Sequence, residues 1–185
     1  MATANEKFIE VLKLLNNCRE KLDGLCSLFV ANYKTAKEDR VEMGAIYDEV
    51  SSSHDELKHI ANGRNNGSKL IVRTIKSKLG ESKKAFNDLY TKFSSALDEC
   101  IPLRKEYKGE VKACCDAYNM FKDKNGVPAS IDKGYRQQVR LIQAILAKIK
   151  SVIEAYNKES EIGEELKNSF DKTCQVAEML AGSLA

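Results

Sequence analysis

Two histidines, six cysteines and 27 carboxylates are the side chains of this 185-residue chain that could do chemistry, and their spacing decides which chemistry is open to them. His54 and His59 stand five residues apart, so on a helix they face different directions and cannot share a metal ion. None of Cys18, Cys26, Cys100, Cys114, Cys115 and Cys174 forms a CxxC or zinc-finger spacing. A di-iron bundle site needs two ExxH pairs, and the chain holds one, Glu56-Leu57-Lys58-His59. No GxxxxGK[ST] loop, GxGxxG turn, HExxH or GxSxG motif occurs. The stretch Leu79-Gly80-Glu81-Ser82-Lys83-Lys84 superficially suits a phosphate but lacks the glycine spacing and interrupts a helical pattern. Carboxylates such as Glu38, Asp39, Glu106 and Glu110 fall among lysines on what read as exposed helix faces, where they are solvated charges. The expectation is a chain without catalytic, cofactor-binding or metal-binding residues, and not an enzyme.

The elements that carry these residues read as long helices. Hydrophobic residues make up 43 % and charged residues 31 % of the chain, with 2 Pro, 10 Gly and no Trp. From Phe8, steps of three and four reach Leu12, Leu15, Arg19, Leu22, Cys26, Phe29, Tyr33, Ala36, Arg40, Met43, Tyr47, Val50, His54, Leu57 and Ala61, and only Arg19, Arg40 and His54 are polar. Such a register marks a helix packed as in a coiled coil. It survives Gly24 and Gly44, which predicts one helix over about 3–62. Gly63 suits a C-cap and Ser68 the next N-cap. A second stripe (Val72, Ile75, Leu79, Phe86, Leu89, Tyr90, Phe93, Leu97, Cys100, Leu103, Tyr107, Val111, Cys114, Tyr118, Phe121) predicts a helix over about 69–122. Pro102 interrupts it. The stripe resumes in phase, so a kink is expected, and a true break there would give a four-helix bundle. A third stripe (Ile131, Tyr135, Val139, Ile142, Ile145, Leu146, Ile149, Val152, Ile153, Tyr156, Ile162, Leu166, Phe170, Cys174, Ala177, Leu180) predicts a helix over about 131–181, capped by Ser130 or Asp132. The fold class expected is all-α: an elongated antiparallel three-helix, coiled-coil-like bundle, one domain over 1–185, with a rod length of roughly 75–90 Å.

The cysteines test that register. An antiparallel hairpin turning near residue 65 sets Cys18 level with Cys114 and Cys115, and Cys26 level with Cys100. These thiols are then either small apolar fillers of core layers or inter-helix disulfides of an oxidising compartment. Met1 to Phe8 lacks the basic and apolar regions of a secretory leader, and the longest apolar run, Cys26 to Ala31, is far short of the roughly 20 residues of a membrane span. A cytoplasmic location is expected, although a secreted chain whose leader had been removed would read the same. Asn66-Gly67-Ser68 has the pattern of a glycosylation acceptor, but the turn accounts for it.

Charge is mild overall, +3, yet unevenly placed. Arg64, Lys69, Arg73, Lys76, Lys78, Lys83 and Lys84 share their stretch with one acid, Glu81, whereas the chain from Glu154 onward holds seven acids and three lysines. Two explanations are open. The basic start of the second helix and the acidic end of the third lie at one tip and pair there, or the stripe Arg64, Lys69, Arg73, Lys76, Lys83 and Lys84 faces outward toward anionic lipid or an acidic partner. No aromatic residue is interleaved with the bases, which argues against nucleic acid.

The functional expectation is a helical scaffold that binds protein partners, including a second copy of itself, through helix faces. Apolar residues outside the main seam (Leu25, Leu28, Val30, Ile46, Leu141, Ile145) offer a second stripe. The layout of three long helices with a kink resembles that of BAR domains, a likeness of layout that rests on no motif. It implies a peripheral membrane binder using the basic stripe, with Pro102 the source of curvature. An extracellular or virulence-associated surface protein, or a pore former, is the third class. The short apolar run disfavours the pore.

Overall fold

A computed structural model of the chain describes residues 3–63, 69–122 and 128–184; the side chains of 4, 5, 121 and 122 fall outside that description. Four helices account for the secondary structure among the described residues: α1 (Ala4–Ala61), α2 (Lys69–Asp98), α3 (Cys100–Lys122) and α4 (Ala129–Leu184). The molecule is the all-α helical bundle that the heptads predict. α1 opens on a capping box, in which the Thr3 amide donates to Glu6 Oε2 (2.9 Å) and the Glu6 amide donates to Thr3 Oγ1 (3.3 Å). It runs unbroken through Gly24 and Gly44 and stops at Gly63, whose φ of 73° is the left-handed cap that only glycine adopts without strain. The predicted cap at Ser68 lies outside the described residues.

Within each seam a buried seven-residue repeat runs through the predicted stripe, passing Gly163 on α4 and the half-buried Tyr107 on α3. On α1 it is Leu15, Leu22, Phe29, Ala36, Met43, Val50 and Leu57, each at most 1 % exposed. On α2 and α3 it is Val72, Leu79, Phe86, Phe93, Cys100 and Cys114, and on α4 Ile142, Ile149, Tyr156, Phe170 and Ala177, all buried. Sustained seven-residue spacing is what supercoiled helices require.

The second segment carries the kink expected near Pro102: its helical run is interrupted at one residue, Glu99, between α2 and α3. Pro102 has no amide to donate to the carbonyl of Asp98, and its ring crowds that carbonyl, so helical bonding fails a turn before the proline. The seam crosses the gap in phase, from Phe93 to Cys100. The last helix begins at Ala129, where the Pro128 carbonyl accepts from the amides of Ile131 (3.1 Å) and Asp132 (2.9 Å). Ser130 and Asp132 are therefore inside the helix and not its cap.

Contacts divide the chain into two units, Met1–Tyr33 with Asp98–Ala155, and Lys34–Leu97 with Tyr156–Ala185. The first is made of the N-terminal part of α1, α3 and the N-terminal part of α4. There the Phe29 and Tyr107 rings meet edge to face (6.4 Å, 88°), Lys21 pairs with Glu110 (3.7 Å), and Phe8 and Val11 form a cluster with Ile131 and Tyr135. As the number on α1 falls its partner's on α3 rises, so these two helices are antiparallel. The second unit joins the rest of α1, α2 and the rest of α4 around a continuous core. Phe86 stacks on Phe170 with ring centroids 3.7 Å apart and planes within 3°. Phe93 fills the space above Gly163, where any Cβ would collide with its ring. On this interface Phe93 of α2 thus meets Gly163 of α4, a complementarity of size that fixes how the two helices stack at that level. Gly163, not Ile162, holds the seam position on α4: Ile162 is 42 % exposed.

Candidate functional site

Two of the three polar residues of the α1 seam, Arg19 and Arg40, are partnered by α4. Arg19 donates from Nε to Gln138 Oε1 (2.8 Å) and from a terminal nitrogen to Asn16 Oδ1 (3.0 Å). Arg40 grips Glu159 with two donors, at 2.5 and 3.2 Å. Both α1–α4 pairs span 119 residues, the constant separation expected of parallel helices with one repeat. Glu159 is 5 % exposed, so its charge is stabilised by this fork and not by water. The third, His54, is half-buried with Nδ1 3.9 Å from Asp55 Oδ1, and its Nε2 has no hydrogen-bond partner among the described residues. His59 is exposed.

Of the predicted thiol pairs, the Cys18 and Cys114 side chains hydrogen-bond in the first unit. Burial first, and then that neighbour, pushes the Cys114 thiol up to about 12. A thiol so held is protonated at neutral pH and is a poor nucleophile. Cys115, next along α3, is exposed. Cys26 and Cys100 are both buried in this unit, and all six cysteines are free thiols. Beside the Cys114 pair lies an open apolar cavity of about 250 Å³ whose lining includes Leu15, Val111, Cys115, Val139 and Ile142. In the second unit Cys174 is raised to about 11 by burial and by the charge of Glu178. No group of three or more His, Cys, Asp or Glu side chains among the described residues is arranged to hold a metal ion.

Two carboxylates expected to be fully solvated, Asp39 and Glu110, are half-buried. Burial, with Glu42 and Glu38 adding repulsion and Lys92 opposing it, raises Asp39 above the usual carboxylate range.

Lys69, Arg73, Lys76, Lys78, Lys83 and Lys84 are all exposed on α2, and Arg64 lies outside the described residues. Lys83 pairs with Glu178 of α4 at 3.2 Å. The tip-pairing explanation therefore holds for that lysine. Glu178 is the last acid within α4, and the cations of α2 continue from Lys83 back toward Lys69. Leu70 and Ile71, 70 % and 40 % exposed, sit within the same basic turns. No helix among the described residues is long and apolar enough to cross a membrane.

The predicted second apolar stripe is only partly at the surface. Leu25 is buried, because each helix of a three-helix unit faces two neighbours and so buries a wider band than one seam. Ile46 packs against the core of the second unit and Ile145 is half-buried, while Leu28, Val30 and Leu141 are exposed. A different outer stripe emerges on α4: Ile162, Glu165, Ser169, Lys172, Val176 and Met179, at alternating steps of three and four and all exposed. It is legible in the sequence only once the core register is set one residue later, on Gly163. Comparison with known proteins adds no relative: no protein-family model, no curated protein and no solved structure matches this chain.

Proposed function

We propose that the protein is a non-enzymatic helical scaffold that self-associates through the outer face of α4. The observation that carries this reading is the exposed stripe at 162, 165, 169, 172, 176 and 179, which repeats coiled-coil spacing on the side of α4 turned away from its own core. The stripe is self-complementary. Two α4 helices run antiparallel about a two-fold axis near Ser169 set Ile162 of one copy near Val176 and Met179 of the other. The same operation brings Glu165 of one copy within a helical turn of Lys172 of the other. Opposite charges meet twice and apolar ends meet twice, the pattern that selects orientation in antiparallel pairs. Sedimentation velocity over a range of concentrations tests this. The wild-type chain is expected to shift reversibly from monomer to dimer, and Ile162→Ser/Val176→Ser/Met179→Ser to remain monomeric. A wild-type chain that stays monomeric at the highest soluble concentration would remove the reading. A reducing, cytoplasmic setting accompanies it, supported by the exposed free thiol of Cys115.

A second reading, peripheral binding to a membrane surface through α2, is favoured by a separate observation. Lys69, Arg73, Lys76, Lys78 and Lys84 are exposed and make no ion pair with a described residue. A surface charge run usually needs no partner, but this one opposes its own helix. α2 has no acid in its first turn and begins on a lysine, against the preference of a helix N-terminus for negative charge.

A further inference from the structure

The basic turns of α2 are not uniformly polar, and that sets the kind of anionic partner they fit. Among the described residues from Lys69 to Lys84 there are six cations and one acid, Glu81. At the head of this run Leu70 is 70 % exposed and Ile71 40 % exposed, which makes Leu70 the most exposed large apolar side chain of the molecule among those described. Their neighbours in the core, Val72 and Ile75, are 1 % and 5 % exposed, so α2 is anchored by one face and offers the other. A soluble polyanion rewards the cations alone. An anionic bilayer rewards both sets, because the cations meet headgroup charge while the adjacent apolar side chains enter the boundary between headgroups and acyl chains. Acids on neighbouring elements do not cancel the run. Glu178 takes Lys83, and Asp55 and Glu56 of α1 are themselves exposed.

Resting on the membrane reading above, we propose that the first turns of α2 are a docking surface for an anionic phospholipid bilayer, with Lys69, Arg73, Lys76 and Lys84 meeting lipid phosphates and carboxylates and Leu70 and Ile71 inserting between headgroups. A bilayer accounts for exposed apolar and unpaired basic residues in the same turns. Leu70 is 70 % exposed, and neither Leu70 nor Ile71 continues the heptad.

Flotation of the full chain with vesicles of phosphatidylcholine, alone or with about 30 % phosphatidylserine, at about 50 mM and about 500 mM salt tests this. Wild-type protein is expected to float with the anionic vesicles at low salt only. Each cation removed is expected to weaken partitioning about fivefold, so Lys69→Gln/Arg73→Gln/Lys76→Gln/Lys84→Gln abolishes it. Leu70→Ser/Ile71→Ser is expected to weaken it roughly tenfold with every charge in place. The matched control Lys7→Gln/Lys13→Gln/Lys105→Gln/Lys112→Gln, exposed lysines of the other unit, is expected to bind as wild type. Circular dichroism of each variant checks that helix content is kept. If the wild type fails to float at low salt, the membrane reading and the insertion both fall. If the charge variant is lost but Leu70→Ser/Ile71→Ser floats as wild type, surface binding stands and the insertion is overturned. If the control loses binding equally, the partner responds to net charge alone and the assignment to α2 is overturned.

Discussion

The charged residues that interrupt the greasy seam of α1 are the ones that define its register. Leu and Phe tolerate a slip of one heptad, because every seventh position is apolar. Arg40 does not, because only one heptad of α4 presents Glu159. Removing one partner leaves the other buried and unpaired. Glu159→Gln is expected to destabilise the chain by roughly 2–3 kcal/mol, less than a fully buried pair would show because Arg40 keeps 23 % of its side-chain exposure. The double variant Arg40→Met/Glu159→Leu is expected to recover most of that loss, read by urea denaturation. The thiols and Tyr135 give a pH dependence. Cys114, Cys174 and Tyr135 stand at about 12, 11 and 12 in the folded chain against ordinary values of 9.0, 9.0 and 10.0, each raised first by burial. Below about pH 8 folded and unfolded chains both hold these protons, and these three groups leave stability unchanged. Above pH 9 the unfolded chain releases protons that the folded chain keeps, so stability falls as pH rises toward 11–12. Melting temperatures between pH 7.5 and 10.5 check this, and Cys114→Ala is expected to flatten the decline.

At the scale of elements, heptad spacing made the helices legible, and local chemistry made their ends less so. The sixteen-position register on α1 overrode two glycines correctly, because interior glycine costs only about 1 kcal/mol against a seam of this length. The same logic held at Pro102, where the missing hydrogen bond interrupts the helix at one residue, Glu99, and the seam resumes in phase. It misled at Ile162. An isoleucine beside a glycine reads as core, yet the seam needs the glycine because Phe93 already occupies the space a side chain would take. That fact lies on another helix and is invisible to periodicity within one. The outer stripe of α4 was hidden by the same one-residue slip, whereas the basic run of α2 was plain in composition and lacked only its exposure. Gly163→Ala is expected to destabilise the chain by about 1–3 kcal/mol through overpacking. Gly80→Ala, on the same bundle unit with open space around its Cβ, is expected to stabilise it by about 0.5–1 kcal/mol. Paired thermal melts of the two variants decide whether size complementarity at Phe93 or helix propensity governs the glycines.

At the scale of the molecule, three-helix units with their seams filled leave function to the outer faces. α4 offers a patterned stripe with alternating charge, and α2 offers cations with apolar neighbours. A charge-exchange cycle read by sedimentation equilibrium tests the association most directly. Glu165→Lys alone and Lys172→Glu alone each place like charges together in the antiparallel pair and are expected to weaken the dimer at least tenfold. Glu165→Lys/Lys172→Glu restores opposite charges and is expected to dimerise as the wild type does. Single variants that dimerise like wild type, or a double variant no better than either single one, would contradict the account.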